Sequence, residues 1–173
     1  MQNYNYDEKR KPRPDNQSQE DWFIKFENGG KKRKKPQECL EITKFEDKWI
    51  ETGADKSMNS FAEKAGRYMA PINKNDKNKL STSQIRNVYG EIKRIQLKGI
   101  EDVEARSSFV LLKPKVAYAE GRNRTEGLTL FKLIFDEGWQ VVADNNYDSK
   151  MFKNLCNLLE ALLAYHKAYG GKD

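Results

Sequence analysis

The sequence predicts an all-α protein, a compact bundle of five or six helices behind a disordered, basic N-terminal extension. Three observations lead there. After residue 37 apolar residues recur three or four apart, the gaps between these runs carry helix start and stop signals, and residues 1–36 show little periodicity. A chain of 173 residues suits one domain, placed at 37–173, better than two. The 37% hydrophobic content supports one core, while 34% charged residues and a mean hydropathy of −0.94 require a wet surface and a floppy segment beside it.

The extension, 1–36, is rich in Asn, Gln, Lys, Arg and Pro and ends in "GGKKRKKP", which reads as solvated chain. The exception is "DWFIKF", where Trp22, Phe23, Ile24 and Phe26 are too apolar to float freely and too few to form a core. Docking on the folded part, docking on a partner and simple stickiness all stay open for it.

From Glu38, the residues Leu40, Ile42, Phe45, Trp49 and Ile50 keep a helical period up to Gly53. A second helix is predicted over Lys56 to Met69, with Met58, Phe61, Ala62, Ala65 and Met69 on one side and Pro71 past its end. The third begins at Ser81, which with Gln84 makes an S-x-x-Q capping box, and carries Ile85, Val88, Ile92 and Ile95 to a stop at Gly99. A fourth helical region, Glu101 to Arg122, has Phe109, Leu112, Val116 and Ala119 on one face and a proline, Pro114, that predicts a kink or a split. Residues 128–142 fit either a helix or a β-hairpin around Asp136-Glu137-Gly138, and the flanking helices favour a helix. The last helix, Asp148 to Tyr169, is apolar around much of its circumference, which predicts a central position, and Gly170-Gly171 ends it.

The chemical inventory is thin. Two distant cysteines, Cys39 and Cys156, read as free thiols of a reducing compartment, and the absence of a leader or membrane-length apolar run predicts a soluble, cytoplasmic protein away from the membrane. One histidine, His166, stands near the end of the last helix, where packing or capping of carbonyls is its expected role. The carboxylate pairs Asp136-Glu137 and Glu101-Asp102 read as solvated or dipole-satisfying groups, and Glu160, inside an apolar run, as the partner of a cation on another helix. The expectation is no catalytic residue, no metal and no cofactor.

Basic residues are the alternative vocabulary. The net charge is +6, and residues 1–36 hold +4 of it, with ten Lys/Arg against six Asp/Glu. The folded part is polarised: residues 74–98 carry seven cations against Asp76 and Glu91, and residues 113–124 carry four against Glu120. Clusters of this kind suit phosphate. A helix N-terminus offers free N–H groups and a positive dipole end, so Ser81 to Gln84 with Lys79 and Arg86 forms a natural phosphate cradle. Tyr89 and Tyr118 are interleaved with the cations, either for stacking on bases or at the edge of the core.

"FAEKAGRYMAPI", "NKLSTSQIRNVYGEI", "LLKPKVAYAEGR" and "LEALLAYHKAYGG", in that order over residues 55 to 171, resemble the small subunit of type III-A CRISPR effector complexes, the Csm small-subunit family. The type III-B small subunit is the nearest relative, and the C-terminal "LEALLAYHKAYGG" favours type III-A. Residues 1–36 have no counterpart in the family pattern, and 128–142 is less typical than its neighbours. The resemblance implies a helical, non-catalytic subunit for antiviral defence, stacked by self-association into an inner filament. Its partners would be the guide crRNA, the target RNA paired to it, the repeated backbone subunits and the large subunit. It carries RNA contact onto Lys79, Ser83, Gln84, Arg86, Lys113, Lys115 and Arg122, and more weakly onto Arg67. Base pairing already reads the sequence in such a machine, so backbone contacts suffice. The alternatives are a helical adaptor whose basic stripe docks on an acidic protein, and an RNA-cleaving enzyme, for which one histidine and no carboxylate cluster speak poorly.

Overall fold

The computed structural model describes residues 23–171. Within them the chain is a helical bundle capped by one β-hairpin, in the order β1 Ile24–Glu27, β2 Gly30–Arg33, α1 Pro36–Ile42, α2 Lys48–Glu51, α3 Lys56–Met69, α4 Thr82–Lys98, α5 Val103–Arg122, α6 Glu126–Asp144 and α7 Ser149–Ala168. No helix among the described residues is long and apolar enough to cross a membrane.

The all-α reading holds, with seven helices where the periodicity suggested five or six. The first predicted helix is two. Its break at Thr43, an extended residue, lets α1 lie on α6 while α2 turns onto α7. Phe45, in the break, still meets Trp49 and Phe61 edge-on, at 5.5 and 6.4 Å between ring centroids. Residues 128–142 are helical, inside α6. Pro114 does not split α5, which runs unbroken; the proline is exposed, so the carbonyl it deprives of an N–H partner faces water.

The boundary placed at residue 36 is corrected by the hairpin, since residues 23–36 belong to the folded unit. Asn28 and Gly29 both have positive φ (49° and 77°), which is the two-residue turn that matches strand twist. β1 and β2 then pair antiparallel, Ile24 opposite Arg33. Phe23 is fully buried and packs edge-on against Phe61 and Tyr68, both at 6.2 Å. Thus the "WFIKF" patch docks on the folded part through Phe23 and Ile24, while Phe26 stays exposed; Trp22 and residues 1–21 of the expected extension lie outside the described residues.

Two helices share the centre. α7 packs on α2, α3 and α6, as its apolar circumference predicts, while α6 touches α1, α2, α3, α5 and α7. Where α3 crosses α7 the backbones come close because Gly66 has no side chain: a Cβ there would sit 2.5 Å from Tyr165 Cβ and 2.8 Å from the His166 nitrogen. α4 and α5 form a second, antiparallel layer, packed on each other.

Candidate nucleic-acid interface

The third predicted helix, α4, starts as its sequence requires. Ser81 is the N-cap, and its main-chain N–H donates to Gln84 Oε1 at 2.8 Å, the reciprocal arm of a capping box. The Gln84 amide then donates to the Asn123 carbonyl at 3.0 Å, tying the start of α4 to the end of α5. The two basic segments, far apart in sequence, therefore converge at this end of the layer.

A cleft of about 840 Å³ opens beside the α4 N-terminus, lined by Lys74, Lys79, Ser81, Ser83 and Arg86 with Pro71 and the Gly170-Gly171 pair that follows α7. Its floor is fixed from three sides. Leu80, nearly fully buried, donates its N–H to the Met69 carbonyl at 2.9 Å, and its own carbonyl lies 3.1 Å from His166 Nε2. Gly127 passes so close to the Leu80 nitrogen that a Cβ would stand 2.4 Å away, and its N–H bonds the Asn78 carbonyl at 2.9 Å. Burial holds the His166 imidazole below its usual pKa, so at neutral pH the neutral ring donates to Leu80. His166 packs and caps a carbonyl, as its position predicts.

The third tether is the residue that sequence reasoning missed. Arg33, in the middle of "KKRKK", is buried; Nε donates to the Tyr68 carbonyl and one Nη to the Ala70 carbonyl, each at 2.6 Å. The same Nη meets Asp76 Oδ2 at 2.6 Å, with the two side chains 1% and 5% exposed. Asp76 also accepts from the Ile72 and Asn78 N–H groups, and so folds the loop that carries Lys74, Lys77 and Lys79. Burial pushes the Asp76 carboxyl up, yet these hydrogen bonds outweigh it and hold the group below the ordinary carboxylate value. The signal was the Asn28-Gly29 pair between two short runs, which marks a hairpin and hence an ordered residue at position 33.

Tertiary pairing sorts the cations. Arg94 and Lys115 share Glu91 at 2.7 and 3.0 Å, Arg124 pairs with Glu120 at 3.0 Å, Lys98 with Glu104, and Lys93 with Glu160, the interhelical role expected of that acid. Lys113 lies over the Trp139 ring, 4.3 Å from its centroid, and donates to Gln140. By contrast Lys74, Lys77, Lys79, Arg86 and Arg122 have no ion-pair partner among the described residues.

Of the residues that the resemblance selects, Lys79, Ser83 and Arg86 thus meet in the cleft. Gln84 borders it but spends its amide on the cap and Asn123. Arg122 is exposed on the last turn of α5. Lys113 and Lys115 sit mid-helix on opposite sides of α5, one against α6 and one against α4, and Arg67 stacks on Tyr169, 5.5 Å from its centroid. Lys74 joins the cleft without having been selected.

Neither carboxylate pair assembles a cluster: Asp136 pairs with Lys132 at 2.5 Å, Asp102 caps α5, and no group of three metal-ligating side chains occurs among the described residues. Tyr89 is half-buried with Lys93 over its ring, while Tyr118 is 69% exposed.

No curated protein and no solved structure matches the chain. A family model does, the one described as Csm2 Type III-A, over residues 51–172. That span takes in α3 to α7 with the cleft, its loop and both basic segments; the chain belongs to the Csm2 family, the small subunits of type III-A CRISPR complexes.

Proposed function

We propose that the protein is a non-catalytic subunit that stacks as an inner filament of the type III-A effector and holds the phosphate backbone of target RNA, paired to the guide, in the cleft at the α4 N-terminus. One observation carries this reading: the cations that the fold leaves unneutralised, Lys74, Lys79 and Arg86, converge on the positive end of a 17-residue helix, while most other cations of the same segments are spent inside the protein. Ser81 and Ser83 add hydroxyls, with their Oγ atoms 3.1 Å apart at the cleft. Arg122, held nearby by the Gln84–Asn123 bond, extends the path towards α5. Contacts of this kind read no sequence, as a guide-programmed complex requires.

The test is titration of labelled single-stranded RNA, with a DNA control, across a salt series, using the full chain and a chain beginning at residue 23 so that Arg33 is retained. Both should bind with an affinity that falls with salt, and Lys79→Glu with Arg86→Glu should abolish binding. Milder Lys79→Ala with Arg86→Ala should flatten the log–log salt slope by roughly 1 to 2. Binding that survives both double variants removes the cleft as the phosphate site. No RNA binding, free or within the assembled complex, together with capture of an acidic subunit that the charge reversals prevent, would make the stripe a protein-docking surface instead.

A further inference from the structure

A second, smaller cleft, of about 350 Å³, lies between the start of α1 and the turn from α5 into α6. Buried Pro36 and Thr129 form its floor, and Lys35, Gln37, Asn78, Arg124 and Glu126 stand around it. It shares no lining residue with the cleft at the α4 N-terminus. Lys35 and Gln37 precede the span that the family model matches, whereas Asn78, Arg124 and Glu126 fall within it. The cleft therefore exists only because α1 packs on α6.

Its frame is fixed. The Asn78 N–H donates to Asp76 Oδ1 and the Asn78 carbonyl accepts from the Gly127 N–H, both at 2.9 Å, while the Tyr68 hydroxyl holds the Lys34 carbonyl at 2.7 Å. Glu120 aims Arg124 by accepting from its Nε at 3.0 Å, which leaves both Nη groups over. By contrast the side chains of Lys35, Gln37, Asn78 and Glu126 have no hydrogen-bond or ion-pair partner among the described residues. Glu126 is half-buried, and burial raises its carboxyl above the ordinary value, with Arg33 a weaker opposing influence. The α6 dipole accounts for an acid at the first helical position. It does not account for two amides and two cations gathered beside that acid, and convergent polar groups of this kind in a cleft mark a small-ligand site.

The side chains narrow the ligand. Lys35 and Arg124 ask for an anionic group, the two oxygens of Glu126 for a pair of donors, and the amide N–H groups of Gln37 and Asn78 for acceptors. A guanine nucleotide supplies all three, as a phosphate, the adjacent N1–H and N2–H donors, and the O6 and N7 acceptors. Adenine offers one donor beside an acceptor nitrogen on the same edge, and that acceptor repels a carboxylate. An amino acid matches the charges but leaves the amides idle. We propose that this cleft binds guanosine 5′-monophosphate, free or as one nucleotide of an RNA strand, with Glu126 on the donor edge of the base and Lys35 and Arg124 on the phosphate. The site is separate from the phosphate cleft and stands or falls independently of it.

Isothermal titration calorimetry of the full chain with guanosine and adenosine 5′-monophosphates tests it. The guanosine nucleotide should bind at least about tenfold more tightly, the discrimination of one bidentate pair. Glu126→Gln, which turns an amide donor towards the base donors, should erase that preference with an unchanged circular dichroism spectrum. Lys35→Ala with Arg124→Ala should weaken the monophosphate at least about tenfold and weaken guanosine, which has no phosphate, far less. Competition by an oligouridine carrying one guanosine, against plain oligouridine, separates the two sources. Stronger competition by the guanosine-bearing strand, lost in Glu126→Gln, assigns the site to RNA; equal competition assigns it to the free nucleotide. No binding of guanosine 5′-monophosphate up to about 1 mM would overturn the proposal. So would equal affinities for the two monophosphates, or a guanosine preference that survives Glu126→Gln.

Discussion

Arg33 satisfies two main-chain carbonyls and one carboxylate with a guanidinium that is almost wholly buried. Its removal leaves Asp76 charged and dry, and breaking a buried pair in this way costs about 3–5 kcal/mol. Arg33→Met, which keeps the apolar stem, should lower the unfolding free energy by that order in a urea titration. A loss under about 1 kcal/mol would mean that the pair does not clamp the loop. Acid provides a second reading. A carboxyl whose pKa is depressed in the fold contributes stability above its unfolded value, near pH 4, and loses that contribution as the pH falls through the lower folded value. The Arg33→Met chain should therefore show a flatter stability profile as the pH falls below the ordinary carboxylate range. Composition could not single out Arg33, because a run of five cations reads as solvated whichever member is buried. The capped start of α4 was legible for the opposite reason: Ser81 and Gln84 act within four residues of chain.

Elements built on periodicity came through wherever one apolar face turns to the core, as in α3, which lies on α6 and α7, and in α4, which lies on α5. The breaks were less legible. The interruption at Thr43 follows from α1 and α2 packing on different helices, and the continuity of α5 through Pro114 follows from the proline facing water; both are tertiary facts. The α3–α7 crossing offers a paired experiment. Gly66→Ala places a methyl group against the α7 backbone, and overpacking of this kind costs about 1–3 kcal/mol. Gly90→Ala, on the exposed side of α4 where a Cβ meets nothing within 4 Å, should instead stabilise by up to about 1 kcal/mol. Thermal melts of both chains decide it; equal effects would show that the close approach is not limiting.

At the scale of the molecule, the folded unit is longer than the span the family model matches. Phe23, Ile24, Cys39, Trp49 and Ile50 belong to the one core cluster, yet all precede residue 51. A chain confined to 51–172 uncovers Phe61 and Tyr68 and should lose cooperative urea unfolding, whereas a chain starting at residue 23 should keep it. Two-state unfolding of the shorter chain at full-length stability would make the hairpin and the first two helices an ornament. The candidate site was half legible at this scale. Sequence located both basic segments but not which cations stay free, because the neutralising contacts join residues as distant as Lys93 and Glu160.

The anchoring of Leu80 bears on rigidity. One main-chain residue is gripped by the Met69 carbonyl at the end of α3, by His166 of α7 and by the close approach of Gly127 in α6. The ground under the α4 N-terminus therefore cannot shift unless three core helices loosen together, so the spacing of Lys79 and Arg86 is set before any ligand arrives, and little ordering entropy is left to be lost on binding.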